Sequence, residues 1–182
     1  MHTLTKTLAI LLFLTGLAAT TNAQSISGDD IKTQFVNDWE RAKAYTLDYL
    51  NTMPADKYTA KVVDSIRNFA QQMLHLASGN TGLISTATGE KPNFTARGLE
   101  ARASAQTKDS VVYYVTASYD FAIESIKKLD PNKLGELTGQ GDRKITRFAW
   151  LLKAFEHQTH HRGQTTIYIR YQGIRPPNER LF

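Results

Sequence analysis

Apolar residues return every three or four positions through four long stretches of this chain, and no stretch carries a convincing strand alternation. The first stretch runs roughly from Asp29 to Met53, with Ile31, Phe35, Trp39, Ala42, Tyr45/Thr46 and Tyr49/Leu50 along one helical face. Ser27 or Asp29 can cap this helix, and Pro54 ends it. A second stripe, Val62/Val63, Ile66, Phe69/Ala70, Met73 and Ala77, predicts a helix from roughly Thr59 to Ser78, with Gly79 as a stop or kink. The third helix is expected from Lys108 to Leu129. Thr107 is its N-cap, Asp109 lies in its first turn and Lys127/Lys128 in its last, which suits the helix dipole. Asp130-Pro131 closes it. The fourth begins near Asp142 and reaches Tyr171, before Gly173 and Pro176-Pro177. Four amphipathic helices of this length predict an all-α, antiparallel four-helix bundle. The aromatic third helix, with Tyr113, Tyr114, Tyr119 and Phe121, reads as core packing with phenol groups reaching water.

Two segments fall outside this pattern. Between the second and third helices lies "GNTGLISTATGEKPNFTARGLEARASAQ", rich in Gly, Ser, Thr and Ala. Part of it can extend the second helix; the rest is a long connection of the kind that is often functional or mobile. The sequon Asn93-Phe94-Thr95 carries no assignment, because such triplets arise readily by chance. At the N-terminus, Lys6 precedes an apolar run from Leu8 to Ala19 that is too short to span a bilayer comfortably, and small residues follow at Thr21-Asn22-Ala23. Residues 1–23 therefore read as a secretory signal peptide, leaving one domain over residues 24–182 that is exported to the periplasm or the extracellular space. No cysteine follows the apolar run to take a lipid, and no later segment is apolar enough to cross a membrane, so no stable membrane anchor is expected after cleavage.

Composition narrows the function. The chain has 182 residues and a formal charge of +5, but the basic residues are scattered. They do not form the dense stripe that a nucleic-acid partner needs. There is no cysteine, which removes disulfides, thiol catalysis and thiolate metal ligands together. Such an exported chain is held by packing alone, or by a metal bound through nitrogen and oxygen.

Histidine is where candidate chemistry gathers. Three of the five histidines, His157, His160 and His161, lie in "HQTHHRGQ" on the fourth helix. At about 100° per residue, His157 and His161 lie about 40° apart on one face, a good spacing for a two-point metal clamp. His160 lies about 60° to the other side of His157 and flanks that face. The zinc-protease pattern His-Glu-x-x-His is absent, because Gln158 follows His157. Tight metal binding needs a third ligand from another helix, and His75 in "FAQQMLHLASGN" is the histidine left once residues 1–23 are removed. Measured from Ile66, however, His75 falls about 180° around an ideal helix, opposite the apolar stripe. On residue pattern alone it is either a solvated surface histidine or a ligand at the open end of the bundle.

Several stretches together resemble the DinB-like superfamily of metal-binding four-helix bundles, in particular its exported members. "LDYLNTMPADKYTAKVVDSIRNFAQQMLHLASGN" is similar to the passage from the first helix to the second, "TKDSVVYYVTASYDFAIESI" to the third helix, and "HQTHHRGQTTIYIRYQGIRPP" to the fourth. The resemblance implies a metal triad of His75, His157 and His161, holding a divalent ion such as zinc, nickel or iron. Some members of the superfamily transfer a low-molecular-weight thiol to an electrophile, and homodimers are frequent among them. The function it implies is a metal-dependent transferase or hydrolase acting on a small molecule. The alternatives are a non-catalytic metal or ligand carrier, or a bundle with a purely structural ion. Gln164, one turn beyond His161, is a candidate to orient a ligand. Asp120 or Tyr119 is a candidate base or partner to a histidine N–H. The segment Thr81 to Gln106 is only loosely similar, and it is expected to lie near the site and set the substrate.

Overall fold

The computed structural model describes residues 25–182, and four long helices dominate them: α1 Gly28–Thr52, α2 Phe69–Thr88, α3 Lys108–Lys128 and α4 Arg147–Tyr171. The expected all-α four-helix bundle is present. The signal peptide expected over residues 1–23 lies outside the described residues.

Local chemistry sets each helix start. Ser27 caps α1: its side chain accepts from the Asp30 N–H at 3.1 Å, and the Asp30 carboxylate accepts from the Ser27 N–H at 3.0 Å. Thr107 caps α3 as expected. Thr146 caps α4 by accepting from the Ala149 N–H at 3.1 Å, so that helix begins at Arg147 rather than near Asp142. Each such cap contributes about 1 kcal/mol. The residues before α4 form a small antiparallel hairpin, with β1 Leu137–Thr138 against β2 Ile145–Thr146.

The second helix departs most from expectation. It starts at Phe69, not Thr59, and runs through Gly79 to Thr88. The reason is a reciprocal cap: the Asn68 side chain accepts from the Gln71 N–H at 2.7 Å, and the Gln71 side chain accepts from the Asn68 N–H at 2.9 Å. The N–H groups of Phe69 and Ala70 donate back to the carbonyls of Ala60 and Tyr58, which folds the preceding segment against the helix start. Val62, Val63 and Ile66 lie in that segment, so they are not part of a helical stripe. At the other end Gly89 adopts a left-handed φ of 86°, and Arg147 donates to the Ala87 carbonyl at 2.7 Å.

α2 lies at the centre, packed chiefly against α4 and α3, while α1 packs against α3 and α4. Phe69, Ala70, Met73, Leu74, Leu76, Ala77, Ile84 and Ala87 are all buried. The aromatic residues of α3 divide: Tyr113 is exposed, whereas Tyr119 is fully enclosed and its hydroxyl meets protein rather than water. Arg162 donates to Thr46 (3.4 Å) and Gln158 (2.8 Å), the Thr46 and Tyr119 hydroxyls are hydrogen-bonded to each other (2.7 Å), and Tyr119 donates to Gln158 (2.8 Å). This closed ring satisfies four buried polar groups and ties one face of α4 to α1 and α3. The adjacent face of α4 carries His157 and His161 and turns toward α2.

Candidate metal centre

His75 of α2 and His157 and His161 of α4 each offer a ring nitrogen, and the three nitrogens all lie within 4.8 Å of one another. Ring centroids are 5.3 Å apart for His75 and His157, 4.5 Å for His75 and His161, and 4.3 Å for His157 and His161. Three imidazole nitrogens this close together could be shared by one divalent ion. The i, i+4 clamp on α4 and the third histidine from a facing helix therefore meet, as the superfamily resemblance implies.

The placement of His75 opposite an apolar stripe does not survive, because Ile66, the reference for that measurement, lies before the helix. Inside α2, Gln72, His75 and Gly79 share one side at spacings of three and four, and that side faces α4. Gly79 is neither stop nor kink. A Cβ built there would stand 2.8 Å from His157 Nε2, and nearer still to Cε1 and Nδ1. The missing side chain is the space that the His157 ring occupies.

Neighbouring groups orient the rings. Gln164 Oε1 lies 3.1 Å from His161 Nδ1, so a proton on Nδ1 finds an acceptor and Nε2 keeps its lone pair. The Gln72 amide donates to Gln164 Oε1 and lies 2.9 Å from His161 Nδ1. Glu100 reaches in from the long connection: its Oε2 lies 3.4 Å from His75 Nδ1 and accepts from Arg67 Nε at 2.9 Å. His157 Nδ1 is buried without a hydrogen-bond partner among the described residues.

Burial is the first cause that holds all three rings below the usual imidazole range. His157 and His161 are both lowered to about 4 by burial, reinforced by the positive charge of the neighbouring histidines and, for His157, of Arg67. His75 is lowered by burial and by Arg67, against the opposing pull of Glu100. At neutral pH the cluster therefore presents three neutral imidazoles with free lone pairs. A divalent ion needs neutral nitrogen donors that can converge on it, and the three imidazoles, one with an orphaned buried nitrogen and one seated in a glycine cradle, fit that need.

The structure brings Gln164 to the triad and leaves Asp120 and Tyr119 apart from it. Asp120 is exposed and paired with Lys43 at 2.5 Å, while Tyr119 is committed to the interior ring with Thr46 and Gln158. In this arrangement neither makes a hydrogen bond to a histidine of the cluster. His160 is exposed and meets His161 edge-on at 4.9 Å, a flanking position as its angle on the helix predicts. Gln72, Arg67 and Glu100 play no part in the sequence reading, and Gly79 figures there only as a stop or kink. Gln72, three residues before His75, was findable from helical spacing; Glu100 was not, because nothing local places a long connection. Beside His161 opens a cleft of about 740 Å³, bounded by the segment before α2 and the C-terminal half of α4.

A family model described as the DinB family matches residues 21–180. Among solved structures, a DinB-like protein from Bacillus cereus ATCC 10987 is similar at a TM-score of 0.69 and 16% identity, covering 80% of this chain and 95% of that one. A DinB-like protein from Bacillus subtilis is similar at a TM-score of 0.61 and 16% identity, covering 82% of this chain and 96% of that one. A conserved protein from Enterococcus faecalis is similar at 0.63 and 14%, covering 77% and 95%. At these identities the likeness to solved structures speaks for the fold. No curated protein matches the sequence.

Proposed function

The chain belongs to the DinB family, and from that premise we propose that it holds one divalent ion through His75, His157 and His161 and presents it to a small molecule. The observation that carries this reading is the convergence of three imidazoles from two helices within 4.8 Å, one with a buried nitrogen that has no hydrogen-bond partner among the described residues. Three nitrogens without thiolate suit zinc, nickel or iron. When bound, such an ion supplies Lewis acidity, which makes a nucleophile from a thiol or water at neutral pH.

The chain's own residues do the preparing. Burial keeps the rings neutral, Gln164 Oε1 is placed to accept from a His161 Nδ1–H and so leave Nε2 its lone pair, and Gln72 holds Gln164 in place. Glu100 steadies His75 from its Nδ1 side. The ring of polar groups around Arg162 fixes the roll of α4, and Gly79 lets the two helices approach closely enough to share a ligand set. The open cleft beside His161 favours a ligand-binding or reactive centre, a transferase or hydrolase, over a purely structural ion, which is normally closed on all sides.

Metal analysis of the purified protein tests the reading. About one ion per chain is expected, with occupancy lost in His75→Ala, His157→Ala and His161→Ala. Wild-type protein that holds no ion, or variants that retain it, would refute the triad. We infer export on the strength of the N-terminal pattern alone: intact-mass measurement of secreted protein should show a chain beginning at Gln24, and a retained leader would contradict it.

A further inference from the structure

The cleft beside His161 has two unlike walls. One is apolar: Val62 and Ile66 from the segment before α2 face the cleft together with Ile167 from α4, and Ile66 and Ile167 are 39% and 57% exposed. Apolar side chains this open, at the mouth of a concave site, gain from being covered. The other wall is polar and carries Arg67.

Arg67 is held in place from two directions. The Tyr168 hydroxyl donates to its carbonyl at 2.5 Å, and its Nε donates to Glu100 at 2.9 Å. Among the described residues its two terminal nitrogens make no hydrogen bond. A guanidinium anchored through Nε, with its outer N–H groups free, is a preorganised fork for an anion. Among the described residues no carboxylate lines the cleft to compete for that fork, and the other titratable side chains facing it are His160, His161 and Tyr168. Glu100 sits behind Arg67 and balances part of its charge, which suits a singly charged group better than a phosphate dianion. The volume, about 740 Å³, lies within the range of small-molecule sites.

We propose that this cleft binds a small organic acid, an apolar body over Ile66 and Ile167 with its carboxylate on Arg67, and thereby delivers the rest of the molecule to the His161 side of the triad. The delivery role rests on the metal-centre reading above; the binding of the acid does not.

The probes are hexanoate and its neutral analogue hexanamide, followed by methyl resonances of Ile66 and Ile167 in the full-length chain, both metal-free in chelator and loaded with zinc. Hexanoate should shift these methyls saturably and bind about 10-fold or more tighter than hexanamide. Arg67→Met should weaken hexanoate by a similar factor and abolish the preference over the amide. Affinity should rise from butyrate to hexanoate by up to about fourfold per added methylene. Ile167→Ser, on an exposed position that does not threaten folding, should remove most of that length dependence. Equal binding of acid and amide, an unchanged affinity in Arg67→Met, no gain with chain length, or tighter binding of hexyl phosphate would each overturn the assignment. The metal-free arm separates the two claims. A carboxylate preference in protein that takes up no ion sinks the triad and leaves this site standing. An ion at the triad with no carboxylate preference in either form does the reverse.

Discussion

Gly79→Ala isolates the step by which α2 and α4 come to share one ligand set. The substitution adds one methyl group to a helix interior, where alanine is favoured over glycine by about 1 kcal/mol. Against that gain stands a contact: the new Cβ would lie 2.8 Å from His157 Nε2 and closer to two other ring atoms. Relief requires the ring to move by on the order of 1 Å, and overpacking of this kind typically costs about 1–3 kcal/mol. The two effects nearly cancel in stability, leaving at most about 2 kcal/mol of loss. They do not cancel in metal binding, because coordination tolerates only about 0.2 Å of displacement at a ligand. Zinc affinity, measured by competition with a chromophoric chelator, should fall at least about 10–100-fold. Gly82→Ala is the matched control, since a Cβ there meets nothing within 4 Å. It should raise stability by up to about 1 kcal/mol and leave zinc affinity intact. Equal zinc affinities in the two variants would refute Gly79 as the cradle of His157.

Protonation gives a second test. His157 and His161 are held at about 4 when folded and return toward the ordinary 6.5 when unfolded, so between these values the unfolded chain binds more protons. Metal-free protein should therefore lose stability as pH falls from about 6.5 toward 4, by on the order of 1–2 kcal/mol after allowing for partial exposure, and His157→Gln/His161→Gln should flatten the profile in pH-dependent denaturant titrations. Glu100→Gln should weaken zinc binding by about 10-fold while leaving the melting temperature of the metal-free protein nearly unchanged; an unaltered affinity would remove Glu100 from the site. Arg162→Met opens the ring that joins α4 to α1 and α3, and a loss of about 1–3 kcal/mol is expected in urea unfolding, with no loss meaning that the ring holds nothing.

The parts of the molecule legible from sequence are those whose cause is local. Phe35, Trp39 and Leu50 mark α1 by their period, and Thr107 with Asp109 marks the start of α3. His157 and His161 declare their shared face by spacing alone. Periodicity places the start of α2 too early because Val62 and Ile66 continue a helical period by coincidence, although the Asn68…Gln71 pair marks the true start as a capping box. Counted from Ile66, which lies outside the helix, His75 falls on the side away from the apolar stripe, whereas inside α2 it faces α4. Gly79 looked like a terminator because glycine disfavours helices, and its use here is imposed by a side chain some eighty positions away in sequence, which no local rule can supply. Asp120 and Tyr119 were plausible by residue type, yet Lys43 and Gln158 claim them first. Glu100 belongs to a connection without periodicity, and only tertiary structure brings it to His75.

The measurement closest to the centre of this account is a crystal structure of the zinc-loaded protein with the ion located by anomalous scattering. One site is predicted, within about 2.0–2.1 Å of a ring nitrogen from each of His75, His157 and His161, with at least one further position open toward the cleft. An ion bound elsewhere, a site that omits His75, or a coordination shell closed by protein groups on every side would contradict it.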